Sequence, residues 1–283
     1  MSSDLTLRSL LSNSPLPANE ARILMAHVLE QHYALPRSAL LSRDDMALQA
    51  NALSHWKELE SKRLDGEPIA YLLGKKGFHN IELRVAPGVL IPRPETELLV
   101  DIGLLEISRL NECKKSIEVL DLGTGSGAIA LALAHEASNI SVTATDQSSD
   151  ALVIARSNAK LLRLESQTRF CQGSWYEAIS KDDVFDIILS NPPYIANQDP
   201  HLMQGDLRFE PPSALTDHST GLICLEAIVL GAKAHLNNAG LLAVEHGFDQ
   251  SGAVVEIMRS TQFRDIQIHQ DLAGHNRVVS GRK

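Results

Sequence analysis

The sequence predicts an α/β fold, a Rossmann-like doubly wound parallel sheet of seven strands preceded by a small N-terminal helical bundle and a β-hairpin linker. Three changes of pattern carry this reading. From Asp4 to about Leu73 apolar residues recur at helical spacing with almost nothing that reads as strand. From Phe78 to Ile91 they alternate, and beyond Glu95 short β-rich runs take turns with helical stretches. The length of 283 residues suits about two domains.

In chain order, Leu7, Leu10 and Leu11 form a first helical stripe that Pro15 and Pro17 end. A second helix is expected from an N-cap at Asn19, carrying Ile23, Leu24 and Val28, and stopping at Pro36. A third runs from about Asp45 to Leu64 with Leu48, Ala52, Leu53, Trp56 and Leu59 on its apolar stripe, and ends at Asp65-Gly66. Short helical pieces at 38–41 and 68–73 complete a bundle over residues 1–77. The linker, 78–94, holds a hairpin about Pro87-Gly88 and a stiff Pro92-Arg93-Pro94. The third region, 95–283, opens on a helix from Glu95 to about Leu110. Strands are expected at 117–122, 142–146, 169–171, 184–189 and 241–244, with two more near 263–269 and 277–280.

Composition narrows the function classes. Hydrophobic residues at 44% and charged residues at 22% exclude collagen-like and disordered chains. A net charge of −9 is a poor footprint for gripping nucleic-acid phosphates. Charges balance up to Lys76, so the surplus acid lies downstream. The three cysteines, Cys113, Cys171 and Cys224, are far apart, which supports neither a disulfide framework nor a thiolate zinc site and fits a reducing compartment. The histidines show no metal-binding spacing, so no metal is expected. Met-Ser-Ser-Asp does not start like a signal peptide, and no apolar stretch approaches the ~18 residues of a membrane span. A soluble, cytoplasmic protein is expected.

Two motifs carry chemistry. In Val119-Leu120-Asp121-Leu122-Gly123-Thr124-Gly125-Ser126-Gly127 a strand must turn into a helix. Glycines there let the backbone approach a ligand above a helix N-terminus. The spacing is G-x-G-x-G behind an acid rather than the G-x-G-x-x-G of nicotinamide enzymes, which points to S-adenosylmethionine. Asp146 ends the next strand, where a carboxylate can accept from both ribose hydroxyls of an adenosine; the alternative is a cap on the helix that follows. After the third strand, Trp175 or Tyr176 can wall an adenine or belong to the core.

Asn191-Pro192-Pro193-Tyr194 follows a buried strand at its carboxyl end. Two prolines stiffen the backbone and remove donors, so the Pro192 carbonyl and the Asn191 side-chain oxygen form a pair of acceptors. Such a pair can hold both hydrogens of a planar NH₂ and aim its nitrogen at a methyl donor, with Tyr194 covering the flat substrate face. No strong base is required, because the proton becomes acidic only as the methyl arrives.

Together these motifs resemble the release-factor glutamine methyltransferases (PrmC/HemK). The resemblance extends to 65–71 (DGEPIAY), 90–97 (LIPRPETE), Asp199-Pro200-His201, Gly205 to Pro211 and Glu245-His246-Gly247. It implies a class I methyltransferase sheet and transfer of a methyl group to the side-chain amide of the glutamine in the Gly-Gly-Gln motif of class 1 peptide chain release factors. It also implies S-adenosyl-L-methionine contacts at Gly123, Thr124, Gly125, Ser126, Gly127, Asp146, Trp175 and Asn191, with S-adenosyl-L-homocysteine as product. Asn191, Pro192 and Tyr194 would be catalytic, with substrate contacts across Asn191, Pro192, Pro193 and Tyr194. The bundle would dock the release factor onto a monomeric enzyme that binds neither membrane nor nucleic acid. Ser174 and Asn276 depart from the family pattern, where acids are common. The rival readings are an amino-methyltransferase acting on adenine in DNA or RNA, which the acidic balance disfavours, and a non-catalytic adenosine-binding module, which has no use for the Asn191-Pro192 acceptor pair.

Overall fold

The computed structural model describes residues 5–283; Asp4 and the start of the chain, read above against a signal peptide, lie outside the described residues. Contacts divide the chain into two compact units, one up to Gly74 and one from Lys75 to Lys283.

The first unit is helical: α1 (Leu7–Asn13), α2 (Ala18–Tyr33), α3 (Ala39–Ser42), α4 (Ala50–Leu64) and α5 (Ile69–Leu73). Its core gathers Leu7, Leu24, Met25, Leu29 and Trp56 from α1, α2 and α4. Two boundaries differ from expectation. α2 starts at Ala18 behind Pro17, so Asn19 lies inside the helix, and it ends when Ala34 turns left-handed (φ 52°), ahead of Pro36. Residues 45–49 are not helical: the Leu7 N–H donates to the Met46 carbonyl at 2.9 Å and the Leu48 N–H to the Leu5 carbonyl at 3.2 Å. That pairing buries Leu48 without a helix and delays α4 to Ala50. Arg63 then joins Glu20 through Nε at 2.7 Å and reaches the Glu67 carbonyl at 3.1 Å.

The second unit opens with the hairpin β1 (Lys75–Phe78) and β2 (Ile81–Arg84). It turns at His79-Asn80, where His79 has φ 49°, and not at Pro87-Gly88. The alternation continues past the turn because Val89 and Ile91 are buried in irregular chain. The helical unit correspondingly ends at Gly74, a left-handed cap (φ 67°) on α5, rather than at residue 77.

A 3₁₀ turn (Pro94–Thr96) leads into α6 (Glu97–Leu110), followed by β3 (Ile117–Leu122), α7 (Ala128–Glu136), β4 (Ile140–Asp146), α8 (Ser149–Leu162), β5 (Thr168–Gln172) and β6 (Phe185–Ser190). Then come α9 (Pro212–Leu215), α10 (Ile223–His235), β7 (Leu236–Glu245), α11 (Ser251–Ser260), β8 (Arg264–Gln270) and β9 (Asn276–Arg282). The seven-stranded sheet has the order β5-β4-β3-β6-β7-β9-β8. β3 to β7 pair in parallel, whereas β9 runs antiparallel to both β7 and β8, so the parallel sheet read from the alternating runs carries one antiparallel strand beside its edge. The cause is the short connection from β8 to β9, since a tight turn can join only antiparallel neighbours.

Alternate residues of each central strand bury on opposite faces. Val119, Val142 and Leu189 pack with α6 and α7, while Leu120, Leu122 and Val244 pack with α10 and α11. Asn158 of α8 clamps the hairpin to the chain after β3: its Oδ1 accepts from the Arg84 N–H at 2.8 Å, and its Nδ2 donates to the Ser126 carbonyl at 2.9 Å. The carboxyl ends of β3, β4 and β6 therefore converge with the start of α7 and the end of the hairpin at one edge, the place where open α/β sheets bind ligands.

Candidate functional site

At that edge β3 ends in the glycine loop. Gly123 has φ 75°, and a Cβ there would meet the Trp175 ring at 3.3 Å, so a side chain at this position is strained and crowds the ring. Asp121, fully buried, staples the loop to α7: its Oδ2 accepts from the Thr124 hydroxyl at 2.6 Å and the Ala130 N–H at 3.2 Å. Burial pushes its carboxyl up to about 7, and Oδ1 has no hydrogen-bond partner. Gly123 and Gly125 line a cavity; Thr124, Ser126 and Gly127 do not, and instead form the loop and the entry to α7.

Asp146, at the end of β4, lines the same cavity. Its Oδ2 accepts from the Gly125 N–H and its Oδ1 from the Ser148 N–H, each at 2.9 Å. The cap of α8 is the Ser148 side chain, which accepts from the Ala151 N–H at 3.2 Å, so Asp146 is not the helix cap. Burial raises the Asp146 pKa. Past β5, Trp175 takes a left-handed φ of 45°, lines the cavity and also packs against the core under α10. Tyr176 turns the other way: its hydroxyl donates to the Ile228 carbonyl at 2.8 Å and its ring stacks on His235 at 4.9 Å. Of the two aromatics, Trp175 lines the cavity and Tyr176 does not. Ser174, one of the departures from the family pattern, also lines the cavity.

Asn191 follows β6 and lines the cavity from the other side with Pro193, while Pro192 is buried behind them. The Asn191 Nδ2 donates to Thr96 Oγ1 at 2.9 Å, and among the described residues no donor engages its Oδ1 or the Pro192 carbonyl. Tyr194 lies outside the cavity lining; its hydroxyl donates to Glu245 Oε1 at 3.1 Å, and its carbonyl accepts from Gln250 Nε2 at 3.0 Å. Burial and the neighbouring Glu245 charge raise the Tyr194 pKa. Burial likewise pushes Glu245 up to about 7.

Sequence reasoning missed part of the wall. Gly88, Val89 and Leu90 of the linker and Pro211, Ser213 and Ala214 before and within α9 close the cavity. Glu210 holds these two segments together, accepting from the Ile91 N–H at 3.0 Å and pairing with Arg93. The available signal was two proline-stiffened segments far apart in sequence, each carrying a charge of opposite sign. The second departure, Asn276, donates to Ser251 Oγ at 3.2 Å, and Arg277 beside it pairs with Asp271 at 3.2 Å. Among the described residues no group of His, Cys, Asp and Glu is placed to hold a metal, and no helix is long and apolar enough to cross a membrane.

Known proteins agree with this architecture. Residues 99–207 match the methyltransferase small domain, and residues 6–74 match the PrmC N-terminal domain. A Pyrococcus furiosus methyltransferase of known structure is similar in fold, with a TM-score of 0.53 at 18% identity over 80% of this chain and 98% of that one. A Thermus thermophilus 16S rRNA methyltransferase, solved with AdoMet and guanosine, has a TM-score of 0.53 at 20% identity over 74% of this chain and 49% of that one. The release factor glutamine methyltransferase of Burkholderia pseudomallei is 44% identical over 98% of this chain and 96% of its own length. That of Bordetella pertussis is 44% identical over 97% of this chain and 98% of its own length. Similarity at this level over both units places the chain in a single family: it belongs to the release factor glutamine methyltransferases.

Proposed function

We propose that the protein transfers the methyl group of S-adenosyl-L-methionine to the side-chain amide nitrogen of the glutamine in the Gly-Gly-Gln motif of class 1 peptide chain release factors. The observation that carries the reading is the state of Asn191: its NH₂ is engaged by Thr96, so its oxygen is left as an acceptor at the cavity beside the glycine loop.

The donor set fits the cofactor. Gly123 and Gly125 expose backbone without side chains, Asp146 is an acceptor-only carboxylate with lone pairs left after its two backbone bonds, and Trp175 offers a flat apolar wall. In this reading Asp146 takes the ribose hydroxyls and Trp175 flanks the adenine. When bound, S-adenosyl-L-methionine would supply an electrophilic methyl carbon, with the S–CH₃ bond breaking to leave S-adenosyl-L-homocysteine and the methylated amide nitrogen giving up one proton to solvent. The chain's own part is orientation. Asn191 Oδ1 and the Pro192 carbonyl accept the two amide hydrogens, fix the nitrogen's direction and favour its pyramidal form over the planar ground state. Both acceptors gain strength as the N–H bonds become acidic, so the site stabilises the transition state more than the resting amide. Tyr194, anchored on Glu245, limits where the flat substrate can lie. The helical unit supplies docking for the release factor, and the enzyme acts as a cytoplasmic monomer.

Transfer of radiolabel from methyl-labelled cofactor tests the reading. Purified release factor should become labelled and duplex DNA should not; label on adenine with an inert release factor would overturn it.

A further inference from the structure

Beyond Asn191 and Pro192 the chain runs over the surface before it returns to the sheet. Among the described residues from Pro193 to Ala214, Glu210 alone is buried, at 3% exposure. The ends of this strap are tied by backbone bonds, from the Ile195 N–H to the Leu215 carbonyl and from the Asn197 N–H to the Ser219 carbonyl, both at 3.0 Å. Its one buried side chain is a carboxylate, which burial by itself penalises. The partners of Glu210 must account for its place.

Both partners lie in one stretch of the linker. Glu210 Oε2 accepts from the Ile91 N–H at 3.0 Å, and Oε1 pairs with the Arg93 guanidinium. Pro92 stands between the two donors and stiffens the backbone that presents them. Gly88, Val89 and Leu90, just before Ile91, line the cavity, and so do Pro211, Ser213 and Ala214, just after Glu210. The carboxylate therefore joins two pieces of cavity wall across 119 residues of sequence. Neither piece belongs to a strand, so no ladder holds them together. Burial raises the Glu210 pKa, and the Arg93 charge opposes that shift.

We propose that Glu210 and Arg93 are positioning residues for the cofactor: their ion pair latches the strap to the linker, keeps the cavity wall closed around the bound molecule and so sets how long it stays. This rests on the reading of the cavity as the S-adenosyl-L-methionine site. Removing one partner leaves the other charge buried and uncompensated, which is far costlier than the net worth of the pair. The wall then gives way at the latch, because its two pieces have no ladder to fall back on.

The test compares Arg93→Met, Arg93→Lys and Glu210→Gln with the wild type in the full chain, using S-adenosyl-L-homocysteine as the probe. Stopped-flow gives its association and dissociation rates, and hydrogen exchange reports on the amides of residues 89–91 and 213–215. Arg93→Met keeps the stem and loses the charge; it should speed dissociation by about tenfold or more while association changes less than about threefold. Arg93→Lys should stay within about threefold of the wild type, since one contact to Oε1 is open to an ammonium. Glu210→Gln still accepts from Ile91 but has no charge for Arg93, and should follow Arg93→Met. Exchange in both charge-removing variants should rise at the two wall segments and not elsewhere in the catalytic unit. Wild-type dissociation in either charge-removing variant would overturn the latch. So would exchange that rises evenly over the unit, or an Arg93→Lys that fares no better than Arg93→Met, since either assigns the pair to general stability. If the wild type itself does not bind the probe, the cofactor reading fails instead.

Discussion

At the scale of single residues, the proposed chemistry concentrates on Asn191 and Asp146. Asn191→Ala removes the unengaged oxygen and should lower turnover by roughly a hundredfold or more, the scale of a lost transition-state acceptor. Calorimetry should find cofactor affinity within a few-fold of wild type, and near-normal turnover would sink the clamp. Asp146→Ala should weaken cofactor binding by about 1 to 3 kcal/mol, as expected for charge-assisted hydrogen bonds. An unchanged Kd with a lowered Tm would leave Asp146 only its bonds to Gly125 and Ser148. These two residues were legible because a carboxylate at a strand end and an acceptor pair behind a buried strand are chemically unusual. Thr96 was not, since nothing local distinguishes it from a helix-entry threonine until the fold brings it to 2.9 Å from Asn191. Trp175 and Tyr176 were equivalent in sequence; backbone direction separates them, with a left-handed φ at Trp175 and an acceptor for Tyr176 on Ile228.

At the scale of elements, strands buried on both faces announce themselves as apolar runs, so β3, β4 and β6 were readable to within about two residues. β7 was read short because it begins with Asn237 and Asn238, polar residues in a strand that starts at Leu236. The hairpin was misplaced because burial of Val89 and Ile91 prolongs an alternation that the strands do not. A link invisible in sequence joins α6 to β9: Glu106, 4% exposed, accepts from Arg282 at 2.7 Å and from Arg109 at 2.6 Å. Burial alone would raise its pKa, but the hydrogen bonds from Arg282 and Arg109 outweigh it and bring the carboxyl to about 2. Because the folded value lies below the unfolded one, this contribution is complete above the ordinary carboxylate range and fades as pH falls toward about 2. Glu106→Gln should cost roughly 2 kcal/mol in urea unfolding at pH 7 and much less at pH 3. An equal loss at both pH values would assign the effect to packing.

At the scale of the whole molecule, the chain divides at Gly74 into a helical unit and a catalytic unit. The division of labour proposed here predicts that a chain starting at Lys75 binds cofactor with nearly unchanged Kd while its KM for an intact release factor rises at least about tenfold, a loss on the scale of a small docking surface. Unchanged KM would remove the docking role. The overall charge of −9 takes on a definite meaning in this frame. It favours a protein glutamine over an adenine base, because a nucleic-acid enzyme needs a phosphate-binding surface. The central claim is that the nitrogen held by Asn191 belongs to a glutamine side chain. Tandem mass spectrometry of a release factor incubated with this protein and S-adenosyl-L-methionine tests it most directly. The account predicts one added methyl group, on the glutamine of the Gly-Gly-Gln motif, absent with Asn191→Ala; a methyl group on any other residue, or none at all with active cofactor and intact substrate, would contradict it.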